Sequence, residues 1–183
     1  MSLKKAVFLI IALCFVSNIS LADNEELSLR EMFQNNRAVI YSLNMRTFNA
    51  DDKNGNGIIE FSQGEVSGSF IDAIERLDEI KSLGINTLHV LPITPVGKIK
   101  ALGTAGSLYA MADFASLNMQ LSDIQSELSL KDQAKKFIDE CHKRNIKVIV
   151  DLPSCGAYDL YINRPDLFVM DHSGRRFVPA DWT

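Results

Sequence analysis

The sequence predicts an α/β fold in which parallel strands are joined by right-handed crossovers and covered by helices. Three observations predict it. Strand-like and helix-like segments alternate β-α-β-α-β between Ala38 and Pro153. The strand segments are near-continuous apolar runs, the pattern of strands buried on both faces. The chain has 183 residues, 46% of them hydrophobic, enough for one core-bearing domain. Two closures fit this order: an open doubly wound sheet, or the start of an eight-stranded barrel, which typically needs about 250 residues. In both, ligands gather at the C-terminal strand ends. Those ends hold Asn44 and Arg46, then Pro92 to Pro95, then Asp151 to Gly156.

The elements follow in order. Residues 1–22 read as a secretory signal: Lys4 and Lys5 precede an apolar run, Ala6 to Val16, too short to span a bilayer, and Ser20 to Ala22 suit a peptidase. The expected location is secreted or periplasmic, with no stable membrane anchor after cleavage. Residues 23–37 form a polar lead-in, and 38–183 the α/β domain. "AVIYSLNM", Ala38 to Met45, is rich in β-formers and reads as a buried strand. In "GSFIDAIERLDEIKSLG", Phe70, Ile74, Leu77 and Ile80 form one helical stripe, Ser69 with Asp72 resembles a capping box, and Gly84 suits the stop. "INTLHVLPI", Ile85 to Ile93, is a second strand, followed by a long loop from Thr94 to about Asn118. Residues 119–128 are ambiguous, with room for a short helix. "LKDQAKKFIDECHKRN" is a helix whose apolar face carries Ala134, Phe137, Ile138 and Cys141. "IKVIVDLP", Ile146 to Pro153, is a third buried strand; the tail to Thr183 shows turn signals and no strong period.

The formal net charge is −4. Signal cleavage would remove two lysines and deepen it. That balance argues against nucleic acid as a partner. Cys141 and Cys155 are too few for a disulfide framework. His89, His142 and His172 are too scattered for a zinc site, and His89 reads as a packed core or strand-end histidine.

The loop "DDKNGNGIIE", Asp51 to Glu60, carries oxygen-bearing side chains at alternate positions. Asp52, Asn54 and Asn56 fall at positions one, three and five of a calcium-type loop, Ile58 offers a carbonyl at seven, and Glu60 stands at nine. Gln63 occupies position twelve, where an EF-hand needs an acid. The two readings are a structural calcium loop and a metal-free polar turn.

Four segments, in order, resemble the α-amylase superfamily, glycoside hydrolase family 13. They are "VIYSLNMRTFNADDKNGNG", "AIERLDEIKSLGINTLHVLPITPVG", "GSLYAMADF" and "KFIDECHKRNIKVIVDLP", spanning residues 38–153. The resemblance implies the N-terminal portion, about three strands, of a (β/α)8 TIM-type barrel. It implies a retaining mechanism on α-glucans or oligosaccharides. The family's three catalytic carboxylates follow strands four, five and seven, so they are expected beyond Thr183 and none is assigned in this chain. Tyr109 matches the tyrosine that stacks on the sugar at the cleavage subsite, Asp113 a loop-structuring aspartate, and Asp151 an aspartate that arranges the active-site floor. The family's Asn-His pair, four and five residues after that aspartate, is replaced by Cys155 and Gly156. Several branches also carry an acid at position nine of the first loop, as Glu60 does here. With few carboxylates, calcium affinity is expected at about 10⁻⁴–10⁻³ M. The expected parent is therefore an exported α-amylase-like glycoside hydrolase of which this chain is an N-terminal fragment. The alternative is a non-catalytic secreted relative that binds calcium or glucan.

Overall fold

The computed structural model describes residues 27–177 apart from 102 and 104. The expected signal segment lies outside these residues. Among those described, no helix is long and apolar enough to cross a membrane.

Among the described residues, those up to Asn36 belong to one unit and those from Arg37 onward to another. The first contains a helix, α1 (Leu29–Gln34), where the sequence suggested only a polar lead-in. Ser28 and Glu31 form a reciprocal capping box that satisfies two of its free N–H groups. The acid–serine signature was present in the sequence, but six residues are too few to show a period.

The second unit is a parallel sheet in the order β1-β2-β3, with β1 Ile40–Leu43, β2 Thr87–Val90 and β3 Lys147–Val150. Ile40 pairs with Thr87 and Leu43 with Val90; Thr87 pairs with Lys147 and Val90 with Val150. Each strand is shorter than its apolar run. The central β2 is buried except for His89. By contrast β1 and β3 are partly exposed, because each is paired on one side only among the described residues. The small three-stranded parallel sheet with its helices is consistent with part of an α/β barrel.

The first crossover is two short helices rather than one. They are α2 (Phe70–Glu75) and α3 (Leu77–Ser82), with Arg76 between them off helical geometry. The cause is local. A continuous helix would send the Arg76 N–H to the Asp72 carbonyl four residues back. The Asn49 amide takes that carbonyl instead, at 3.1 Å, and Arg76 donates to Ala73. Ser69 and Asp72 do form the expected capping box, and Gly84 adopts the left-handed conformation that ends the run. The second crossover is α4 (Leu130–Lys143), capped by Ser129.

These helices cover one face of the sheet. The core joins Leu43, Leu88 and Val90 from the strands to Phe70, Ala73, Leu77 and Ile80, and to Phe137 and Cys141. The Phe70 and Phe137 rings lie 6.1 Å apart, locking α2 to α4. Residues 119–121 form a single 3₁₀ turn. Gln133, fully buried on α4, holds the following loop: its carbonyl oxygen accepts from Asp123, and its NH₂ reaches Ser122, Asp123 and Leu128. After β3 the chain forms α5 (Tyr158–Asn163), which no periodic stripe announced.

Candidate functional site at the strand ends

The loop from β2 folds back so that one residue, Met111, pairs with the exits of two strands. Met111 bridges Val96 on one side and Gly156 on the other. Gly97 donates to the Ala110 carbonyl and Ala112 to Pro95; Met111 donates to Cys155, and Ala157 to Met111. Two charged side chains fix the ends of this insert. Arg46, just after β1, donates from Nη1 to the Ala105 carbonyl at 2.7 Å. Asp159 on α5 accepts the Lys98 and Ile99 N–H groups at 3.0 and 2.9 Å. Sequence reading placed Arg46 at the correct end without this role, and it did not single out Asp159.

The insert delivers Tyr109 to the end of β3. Its hydroxyl donates to Asp151 Oδ2 at 2.7 Å, while the residue remains 44% exposed. That hydrogen bond raises the Tyr109 phenol above its ordinary value, because it stabilises the protonated form next to a carboxylate. His89 also faces Asp151 Oδ2, with Nε2 at 3.7 Å. The structure thus brings Tyr109 and Asp151 together and adds His89, which the sequence suggested was a packed core or strand-end histidine without assigning it to the site.

Asp113 stands apart from this pair. Its carboxylate accepts from the Ser116 hydroxyl and from the Ala115 N–H at 3.0 Å. The Ser116 bond, then the backbone bond, lowers its pKa. This contribution to loop order is therefore present above the ordinary carboxylate range and is lost as pH falls through the lowered value.

The glycine at position 156 is built into the packing. A Cβ there would stand 2.8 Å from Leu160 Cδ2 and 3.2 Å from Phe168 Cζ. A larger side chain would need the Leu160 and Phe168 side chains to shift. Cys155, its neighbour, is exposed.

The Asp51–Glu60 loop lies at the first β/α connection. Asp52 accepts from Gly55 at 2.8 Å and from Gly57 at 2.7 Å, one bond on each carboxylate oxygen. Asn54 and Asn56 each accept from the N–H two residues on, at 2.9 and 2.7 Å. Glu60 Oε2 collects the amide groups of Asn54, Asn56 and Gln63. Among the described residues no group of three or more His, Cys, Asp or Glu is placed to hold a metal. The oxygen-bearing groups of the loop are two carboxylates, two side-chain amides and the Ile58 carbonyl. These are hard oxygen donors suited to a hard cation. The accepting oxygens of Asp52, Asn54 and Asn56 each take one hydrogen bond and keep another lone pair, whereas Glu60 Oε2 takes three.

Beneath the loop sits a residue that sequence reading missed. Glu65 is 1% exposed. Its Oε1 accepts from Lys53 at 3.1 Å and Asn54 at 3.3 Å, and Oε2 accepts from Glu60 at 2.9 Å. An acid in a polar stretch looks like surface; only the fold reveals that the loop wraps around it.

No protein-family model matches the chain. A cyclomaltodextrinase from a Bacillus species is 29% identical over 119 residues, which are 65% of this chain and 15% of the relative. Isoamylase SU1 of Zea mays is 26% identical over 121 residues, 62% of this chain and 14% of the relative. The chain therefore spans a minor part of the length of the curated relatives it matches. Among solved structures, an α-amylase from Lactobacillus plantarum superposes with a TM-score of 0.57 at 27% identity, covering 79% of this chain and 30% of that one. A maltogenic α-amylase from Thermotoga neapolitana gives 0.55 at 25% identity, covering 75% and 29%.

Proposed function

We propose, from the premise that this chain belongs to the α-amylase superfamily, glycoside hydrolase family 13, that it forms the first part of an exported hydrolase acting on α-glucans. The observation that carries the reading is Tyr109. Its ring stays exposed at the C-terminal end of a parallel sheet while its hydroxyl is tied down by Asp151. A sugar presents apolar C–H faces, and a ring already fixed in place orients them at low entropic cost. Asp151 serves as the anchor of that platform, and Asp113 keeps the neighbouring loop in shape.

A retaining displacement needs two carboxylates about 5–5.5 Å apart. We assign none of the described residues as nucleophile or acid/base: Asp113 is committed to Ser116, and Asp151 to Tyr109. The expected result with maltotetraose is a saturable shift of the Tyr109 ring signals by NMR. Tyr109→Ala should weaken binding about tenfold or more, whereas Tyr109→Phe should retain most of the stacking. Equal affinity in wild type and Tyr109→Ala would defeat the reading.

The Asp52, Asn54, Asn56, Ile58 and Glu60 loop is proposed as a structural calcium site. A cation held there would tie the four side-chain donors and the Ile58 carbonyl together and brace the exit from β1. Calorimetry should give a calcium Kd of about 10⁻⁴–10⁻³ M. Asp52→Ala should give a flat trace. Wild type and variant alike in giving no heat would leave a polar turn.

The packing at Gly156 favours a second reading, a glucan- or calcium-binding relative without hydrolytic activity. Leu160 and Phe168 occupy the space a side chain would need there. Pull-down on starch without release of reducing ends would select it; release of reducing ends by the full-length protein would reject it.

A further inference from the structure

The anchor of Tyr109 continues past Asp151. The Tyr109 hydroxyl and the His89 imidazole converge on one oxygen, Asp151 Oδ2, at 2.7 and 3.7 Å. The other ring nitrogen, His89 Nδ1, lies 3.2 Å from Ser42 Oγ. Ser42 and His89 are register partners across β1 and β2, and His89 faces Ile149 on β3. Asp151 is two residues beyond Ile149, so strand alternation returns it to the same side. Each of three neighbouring strands, or its immediate exit, thus contributes one polar group to a line that ends at the Tyr109 ring.

We infer that His89 is a positioning residue for Tyr109, acting through Asp151 and oriented by Ser42. The inference rests on the reading of Tyr109 as a sugar platform. A carboxylate oxygen can be shared between two donors, but the stronger donor draws it closer. The phenol is a donor in the neutral state. The imidazole donates from Nε2 only in one neutral tautomer or as the cation. Ser42 selects that tautomer by donating its hydroxyl proton to Nδ1; when the ring is charged, the same hydroxyl accepts from Nδ1. The groups that meet the His89 ring are Ser42 from β1 and Asp151 at the exit of β3, whose Oδ2 also accepts from Tyr109 of the loop. Of these, Asp151 is the carboxylate. Charging His89 would draw Oδ2 toward Nε2, now 3.7 Å away and beyond hydrogen-bond distance, and loosen the share held by Tyr109.

The test uses the full chain with ¹³C-labelled tyrosine, followed by NMR between about pH 5 and 8, the window in which an imidazole changes charge. The Tyr109 signal, assigned with Tyr109→Phe, should show a step with the same midpoint as the His89 ring signal. His89→Gln should abolish that step, and Ser42→Ala should move both midpoints together. At the acidic end, His89→Gln should change maltotetraose affinity about fivefold, the worth of one hydrogen bond. A Tyr109 signal flat across the window in wild type, or a step that survives in His89→Gln, overturns the inference. If maltotetraose fails to bind wild type while the coupled step is present, the platform reading fails and the positioning of Tyr109 by His89 stands.

Discussion

Gly68→Ala is expected to leave the second unit largely unfolded. Gly68 lies just before α2, where the chain returns under the segment following β1. A Cβ there would stand 2.1 Å from the Phe48 carbonyl oxygen and 2.5 Å from that of Met45. Both obstacles are backbone, so neither can swing aside as a side chain would. The Gly68 N–H also donates to the Arg46 carbonyl at 2.9 Å, which fixes the approach. Relief would require the 45–48 turn to move, with Met45 and Phe48 leaving the core they help to build. A loss of about 4 kcal/mol or more is expected, comparable with the whole stability of a small domain. Urea unfolding followed by circular dichroism should show no folded baseline. A midpoint within error of wild type would mean that the close approach at Gly68 is not part of the folded state.

The second large effect is expected at Glu65. Its carboxylate is the shared acceptor for three backbone N–H groups of the Asp51–Glu60 loop. Truncation to alanine leaves those donors without partners and opens a void at a buried position. Hydrogen bonds to charged groups are worth more than neutral ones, and orphaned donors add their desolvation cost. A loss of about 3 kcal/mol is expected in thermal or urea unfolding. Glu65→Gln should fall between, because its NH₂ end cannot accept. Calcium binding should weaken in the alanine variant even though Glu65 is not among the proposed ligands. Unchanged stability in Glu65→Ala would show that the loop holds its shape without this carboxylate.

The elements that were legible in the sequence share one property: their signals are local. The Ser69–Asp72 box, the Gly84 stop and the stripe through Phe137 and Cys141 depend on neighbours a few residues away, and the structure has them all. The alternation of strands and helices also gave the parallel order. What could not be read depends on partners distant in sequence. Asn49 breaks the first crossover helix by taking the carbonyl of a residue 23 positions on. Strand exposure depended on neighbours across the sheet, so the runs at Ala38–Met45 and Ile146–Pro153 overstated burial. At the candidate site, Tyr109 and Asp151 were both picked out, but their bond spans 42 residues. His89 and Glu65 were missed because a lone histidine in a strand and an acid in a polar stretch each have a commoner, duller environment.

The two described cysteines differ in a way that opens the strand-end face to spectroscopy. Cys141 is buried in the core, and burial pushes its thiol up to about 12, so it stays protonated and shielded. Cys155 is exposed, four residues after Asp151 and beside the packed Gly156. In a Cys14→Ser background, a maleimide dye or nitroxide should therefore attach at one place, next to the Tyr109 anchor. Its emission or line shape would then report when something settles on that face, with no substitution in the residues that shape it.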